Sequence, residues 1–330
     1  MVPVEEFVVP EYQRHLSVNL KLVGSNCNMR CAYCYEHDEP RWADNPLDTA
    51  HVAALIDRIP PQTTVRFVLH GGEPLLYPKS KMRTLLRLIR QKLPDRHELQ
   101  IQTNGTLLDE EWLTILAEAG PRFVFSVSLD PPAGERLRVL PQADAERVVR
   151  ERIGLVRRLG GTIGVVSVAH RANLSGFQPF IEELVDLGVP YLTINKQRYN
   201  VGERAAANRL AISEMEFVQL LEQVCSFWIN SRLFARLQIQ PLLSLLSPDS
   251  NRICVYDASA DKCHAFLALY PDGRVGGCDH LRHGPPAFLP ACPTCPILGW
   301  CGGGCLGEER DAGFCAARFR LKAFIEGVSS

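Results

Sequence analysis

The chain has 330 residues, 46% of them hydrophobic and 22% charged, with a formal net charge of −1. Such a length suits a globular protein of roughly two domains, and so balanced a charge supplies no field for nucleic acid. No stretch interleaves clustered Lys/Arg with aromatics, and no apolar run approaches the roughly 18 residues that span a bilayer.

The amino terminus, MVPVEEFVVPEYQRH, carries two early glutamates and lacks a basic start followed by an apolar run, so it does not read as a secretory signal. A cytoplasmic location is expected, where thiols stay reduced. The 12 cysteines then point to metal or cluster ligation rather than to disulfides.

From residue 18 to about 195, strand-like runs alternate with helical patterns. The strands are VNLKLV (18–23), VRFVLH (65–70), ELQIQ (98–102), RFVFSVSL (122–129), TIGVVSV (162–168) and PYLTIN (190–195). Helical patterns fall near 48–58, 79–92, 109–118, 145–159 and 176–187. This order predicts α/β architecture with parallel strands, as a barrel or an open sheet, and six strands are too few to close an eight-stranded barrel. The stretch 213–246 reads as predominantly helical. After residue 252, eight cysteines fall between Cys254 and Cys315 amid Gly and Pro, a segment too poor in apolar runs to fold on burial alone.

The first cysteine loop, CNMRCAYCYEH (27–37), directly follows the first strand. Loops at the carboxyl ends of such strands are where ligands bind. Three thiolates leave one iron of a cubane open, whereas a closed zinc or cubane site takes four. The loop resembles the hallmark of the radical S-adenosylmethionine (radical SAM) superfamily. HGGEP (70–74) after the second strand, QTNGTLL (102–108) after the third and SVSLD (126–130) ending the fourth resemble further segments of that family in the same order.

The resemblance implies a partial (β/α)6 barrel over 18–210, after an extension at 1–17, and a 5′-deoxyadenosyl radical as the product of one-electron cleavage of SAM. It implies that Cys27, Cys31 and Cys34 hold the first [4Fe–4S] cluster. Gly71, Gly72 and Glu73 would receive the SAM amino group, Asn104 and Ser128 would lie near its ribose and methionine, and Tyr33 would pack on the adenine. Arg138 is expected at the SAM carboxylate, with Arg136 as the other candidate.

The carboxyl-terminal cysteines resemble the SPASM extension of that superfamily, expected over 252–330 after a helical connection at 211–251. The resemblance implies two auxiliary [4Fe–4S] clusters, one on Cys254, Cys263, Cys278 and Cys305, the other on Cys292, Cys295, Cys301 and Cys315. Zinc is the rival filling. Cys225, left over, reads as a core cysteine, with a hydrogen-atom donor as its alternative. His37, His264 and His280 are not expected to be ligands.

Resemblance also implies a peptide or protein substrate. Side-chain crosslinking of a ribosomally made precursor peptide is the first expectation, because only 13 residues separate Cys278 from Cys292. Formylglycine-generating sulfatase maturation is the alternative, then peptide epimerisation. A cysteine-rich metal-binding or electron-transfer protein is the reading of a different class. Asp279, beside Cys278, is expected to take the substrate proton. A low-potential donor such as flavodoxin or ferredoxin is an expected partner. About 17 residues before the first strand leave no space for a fused winged-helix domain, so a leader is expected to bind the barrel directly, to need a separate leader-binding protein, or to be unnecessary.

Overall fold

A computed structural model describes residues 1–38, 45–120, 122–132, 136–138, 145–197, 209–246, 253–259, 261–278, 287–308 and 310–328. Its strands in chain order are β1 (Val2–Pro3), β2 (His15–Lys21), β3 (Met29–Cys31), β4 (Thr64–His70), β5 (His97–Thr103), β6 (Phe123–Ser128), β7 (Arg136–Arg138), β8 (Gly164–Ala169), β9 (Tyr191–Lys196), β10 (Gln238–Gln240), β11 (Phe266–Leu269) and β12 (Arg274–Gly277). The described α-helices are α1 (Thr49–Ile56), α2 (Lys79–Lys92), α3 (Glu110–Ala117), α4 (Ala145–Arg158), α5 (Phe177–Asp186), α6 (Glu214–Asn230), α7 (Leu242–Leu246), α8 (Leu298–Cys301) and α9 (Phe314–Val328). Two compact units divide them: Met1–Ser128, Leu137–Gly161 and His264–Asp279 form one, and Leu129–Arg136, Thr162–Cys263 and His280–Ser330 the other.

In the first unit, β2, β4, β5 and β6 run parallel in that order. Alternation sorts their side chains. Val18, Leu20, Val65, Phe67, Leu69, Leu99 and Ile101 are fully buried on one face. The residues between them are largely polar, and the register sets Lys21 beside His70, Val68 beside Gln100 and Gln102 beside Ser126 on the other face. Helix α2 buries Met82, Leu85, Leu86 and Ile89, the i, i+3, i+4, i+7 stripe of a helix packed on one side.

One edge of this sheet is extended by segments from elsewhere in the chain. β11 adds parallel to β2, β12 pairs antiparallel with β11, and β1 pairs with β12. The hairpin turns at Gly273, whose φ of 80° is left-handed. A Cβ there would lie 2.6 Å from the His51 ring, so the turn needs glycine twice over.

In the second unit β8, β9 and β10 run parallel. The stretch expected as predominantly helical is interrupted: α6 ends at Asn230, and the alternating Gln238–Gln240 buries Ile239 as a strand beside β9. Helix α6 starts with a full capping box between Ser213 and Glu216. Ile297, Cys301 and Phe314 form a small core with Leu289, Cys295 and Trp300 packed on it. Among the described residues no helix is long and apolar enough to cross a membrane.

Candidate active site

The carboxyl ends of β2, β4 and β5 converge on the three-cysteine loop. Gly72 N–H donates to Gly24 O (2.7 Å) and Glu73 N–H to Asn26 O (2.8 Å), lacing the HGGEP turn to the chain that enters Cys27. Gly71 has φ 108°, and a Cβ on Gly72 would stand 2.2 Å from Asn26 O. Both glycines are therefore dictated by backbone approach.

Glu73 is fully buried. Its Oε1 accepts from Leu75 N (2.9 Å) and Thr103 Oγ1 (2.6 Å), and its Oε2 from Asn104 N (2.7 Å). The carboxylate thus ties the end of β4 to the end of β5. Asn104 in turn faces the cysteine loop, its Nδ2 donating to Asn28 Oδ1 (2.8 Å) and lying 3.6 Å from Cys27 Sγ. Thr106 closes the set, giving N–H and O–H to Asn104 Oδ1 and accepting from Asn28 Nδ2 at 2.8 Å. On β6, Ser128 Oγ accepts from Gln102 Nε2 (3.0 Å). Tyr33 is half-buried between the last two cysteines. β7, which ends at Arg138, pairs with β3, the strand that runs into Cys31.

The exit of the loop is held by charge. Lys21 Nζ donates to Glu36 Oε1, and both side chains are buried. His70 stands beside them, its Nδ1 3.4 Å from Lys21 Nζ and its Nε2 3.4 Å from Tyr35 OH. Removing one partner of a buried ion pair costs about 3–5 kcal/mol, so this pair fixes the backbone after Cys34.

Burial pushes the Cys34 thiol up to about 12, with Cys31 and Glu36 adding to it. Burial likewise raises Cys27 to about 12, with Glu73 and Cys31 contributing against a hydrogen bond from Met29 N. Cys27 and Cys34 so placed do not ionise together unaided. A cationic metal group makes them thiolates outright, so the donor set fits a cluster with a strongly positive core.

In the second unit, Cys292, Cys295, Cys301 and Cys315 lie near enough for Cys301 and Cys315 each to feel the charge of Cys292 and Cys295. Cys254, Cys263 and Cys305 gather around the Lys262 ammonium. That buried ammonium donates to Asp257 O (2.8 Å), Gly302 O and Gly304 O (2.9 Å), so one cation stitches together the segments that carry these cysteines. Cys278 directly follows β12 in the first unit. Among the described residues no three Cys, His, Asp or Glu side chains converge as ligands of one bare ion do. Asp279, His280 and the side chains of His37, Arg136 and Arg138 lie outside the described residues. Cys225 is fully buried on α6, and burial raises its thiol to about 11.

A comparison with protein families matches residues 22–184 to the radical SAM superfamily, over the strands and loops just described. Residues 22–184 are a radical SAM domain. The serine-type anaerobic sulfatase-maturating enzyme of Klebsiella aerogenes is 25% identical over 348 residues, covering 92% of this chain and 83% of that protein. Among solved structures, native anSMEcpe with bound AdoMet and Cp18Cys peptide superposes with a TM-score of 0.75 at 20% identity, covering 96% of this chain and 99% of the other. SuiB of Streptococcus suis, bound to precursor peptide SuiA, gives 0.61 at 14% identity, covering 91% and 76%. The likeness is one of fold, a partial, unclosed barrel, and in this chain a cysteine-rich carboxyl-terminal region follows it. The protein is a radical SAM enzyme.

Within the radical SAM domain the motif wording locates Gly71, Gly72, Glu73 and Asn104. It does not locate Asn28, Thr106, Lys21 or Glu36. Lys21 falls on the polar positions of an alternating strand, so no local pattern marks it as buried.

Proposed function

We propose that this enzyme oxidises a side chain of a peptide or protein substrate by two electrons, as in anaerobic sulfatase maturation. The observation that supports it best is the coexistence in one chain of a three-thiol loop framed by strand ends and two further cysteine groups. A relative 25% identical over 92% of the chain, named as a sulfatase-maturating enzyme, supports the same reading. When bound, the first cluster with SAM supplies abstraction of a hydrogen atom from unactivated carbon, and two auxiliary clusters supply an acceptor for the remaining electron.

The chain's own residues do the rest. Cys27, Cys31 and Cys34 hold the first cluster, and Asn104, Asn28 and Thr106 fix the loop on the Cys27 side. The close-packed HGGEP turn offers backbone groups to SAM. Glu73 orients that turn through its three bonds, and Tyr33, Ser128 and Arg138 complete the pocket for adenine, ribose and carboxylate. Cys254, Cys263, Cys278 and Cys305 take one auxiliary cluster; Cys292, Cys295, Cys301 and Cys315 take the other. Asp279 receives the proton lost as the substrate is oxidised. A flavodoxin or ferredoxin delivers the electron in the cell, and a separate protein presents any leader peptide.

Side-chain crosslinking of a ribosomally made precursor peptide is the second reading, favoured by the 13-residue gap between Cys278 and Cys292. One experiment decides between them. Reconstituted, dithionite-reduced enzyme is given SAM with serine- and cysteine-bearing sulfatase peptides, and in parallel with candidate precursor peptides. Release of 5′-deoxyadenosine with a hydrazide-reactive aldehyde is the expected result. A product that has lost two hydrogens without gaining an aldehyde replaces it with crosslinking, and no 5′-deoxyadenosine on any peptide overturns both.

A further inference from the structure

Arg318 is an unusual residue to find buried. It lies on α9 three positions after Cys315, hence on the same side of that helix. Only 5% of its side chain is exposed. Its guanidinium carbon stands over the Tyr256 ring at 4.4 Å and the Phe314 ring at 5.0 Å. Nε is 2.7 Å from Glu214 Oε1, out of line for a hydrogen bond, and among the described residues Nη1 has no acceptor. Glu214 is itself held by Lys196 Nζ (2.8 Å), and its backbone N–H donates to Asp311 Oδ2 (2.7 Å).

A buried guanidinium with an unfilled donor signals an acceptor not yet in place. Two cysteine groups border the position. Arg318 and Cys301 are close enough to feel each other's charge. Arg318, Glu214, Lys196 and Tyr256 also line one cleft with Cys305. A cubane on four thiolates is a net anion whose sulfides and thiolate sulfurs all accept N–H bonds. Such bonds, like nearby positive charge, raise its reduction potential.

We infer that Arg318 is a positioning residue of the auxiliary cluster on Cys292, Cys295, Cys301 and Cys315, donating a hydrogen bond into it and raising its reduction potential, with Glu214 as the counter-charge that limits the rise. The inference rests on the proposed presence of that cluster. It assigns Arg318 to setting how readily the second cluster takes an electron, a role outside binding of SAM or substrate.

The test is a redox titration of the full, anaerobically reconstituted chain followed by electron paramagnetic resonance. It compares wild type, Arg318→Gln, Arg318→Lys and Glu214→Gln, with a Cys292→Ala/Cys295→Ala variant identifying the second auxiliary signal. Arg318→Gln is expected to lower that cluster's midpoint, Arg318→Lys to restore part of it, and Glu214→Gln to shift it upward. A merely structural role does not produce opposite shifts from the two partners. An unchanged midpoint in Arg318→Gln with full iron overturns the inference, as does a shift confined to another cluster. If Arg318→Gln fails to retain iron, Glu214→Gln decides, and no upward shift there overturns it. Wild type holding about four irons, or zinc, would instead sink the underlying cluster reading.

Discussion

At Gly72 an added methyl group meets backbone from two residues, Asn26 O at 2.2 Å and Ser25 O at 2.6 Å. Neither is the end of a flexible side chain, so the loop itself must give way. Gly72→Ala is expected to cost about 2–3 kcal/mol, the upper range of overpacking, and to lower iron uptake by the three-cysteine loop. Urea unfolding and iron analysis check this, and an unchanged midpoint would refute the packing argument. Asp279 carries a chemical rather than a steric prediction. Asp279→Asn keeps size and hydrogen bonding but removes the base, so the variant should retain its iron and cleave SAM while losing most of its modified product. Product formed at the wild-type rate from the matching peptide shows that Asp279 is not the base. The two residues differ in how the sequence exposes them. Gly72 is legible because a short motif encodes a close backbone approach. Asn28, Thr106 and Glu36 are not, since the Asn28–Thr106, Asn28–Asn104 and Glu36–Lys21 contacts span 78, 76 and 15 positions of chain.

Among the elements, α6 begins where its sequence says it should. Ser213 Oγ accepts from Glu216 N (3.2 Å), and the Glu216 carboxylate accepts from Ser213 N (2.8 Å) and Oγ (2.9 Å). Burial pushes the Glu216 carboxyl up, but the bonds from Ser213 and the charge of Arg171 outweigh it, and the net shift is downward. A carboxyl whose pKa is lowered by folding adds stability above its unfolded value, and that stability is lost as pH falls through the folded one. Ser213→Ala should therefore cost about 1 kcal/mol at neutral pH. Its deficit against wild type should shrink as pH falls below about 4, the range in which an ordinary glutamate protonates. Thermal unfolding at both pH values checks this, and a deficit that does not change with pH would exclude Glu216 as its source. Strands β2, β4, β5, β6, β8 and β9 and the helices between them were legible from periodicity, because each buries a continuous face. β1, β3, β7, β10, β11 and β12 were not. They have two to four residues each and are stabilised by pairing with strands distant in sequence, which no local pattern reports.

For the molecule as a whole, what matters is that thiols are distributed between both compact units. Cys27, Cys31, Cys34 and Cys278 belong to the first, while Cys254, Cys263, Cys292, Cys295, Cys301, Cys305 and Cys315 belong to the second. The first loop is built by strand ends, glycine approach and the Lys21–Glu36 pair, all of them contacts of the chain with itself. The second group is organised by a buried ammonium, a small core and thiols, so its order depends more on what the thiols bind. Replacing Cys27, Cys31 and Cys34 together by Ala should thus remove one cubane and leave the rest. With three clusters in wild type, about twelve irons per chain should fall to about eight. The fold should survive, because the loop's framework is hydrogen bonds and burial rather than sulfur. All reductive cleavage of SAM should vanish, since each auxiliary site as proposed takes four protein thiolates and leaves no iron open. Iron analysis, 5′-deoxyadenosine yield and thermal unfolding on the same preparations read these outcomes separately. SAM cleavage persisting in the triple variant would remove the three-cysteine loop from the mechanism. Loss of all iron would show instead that the carboxyl-terminal clusters assemble only after the first.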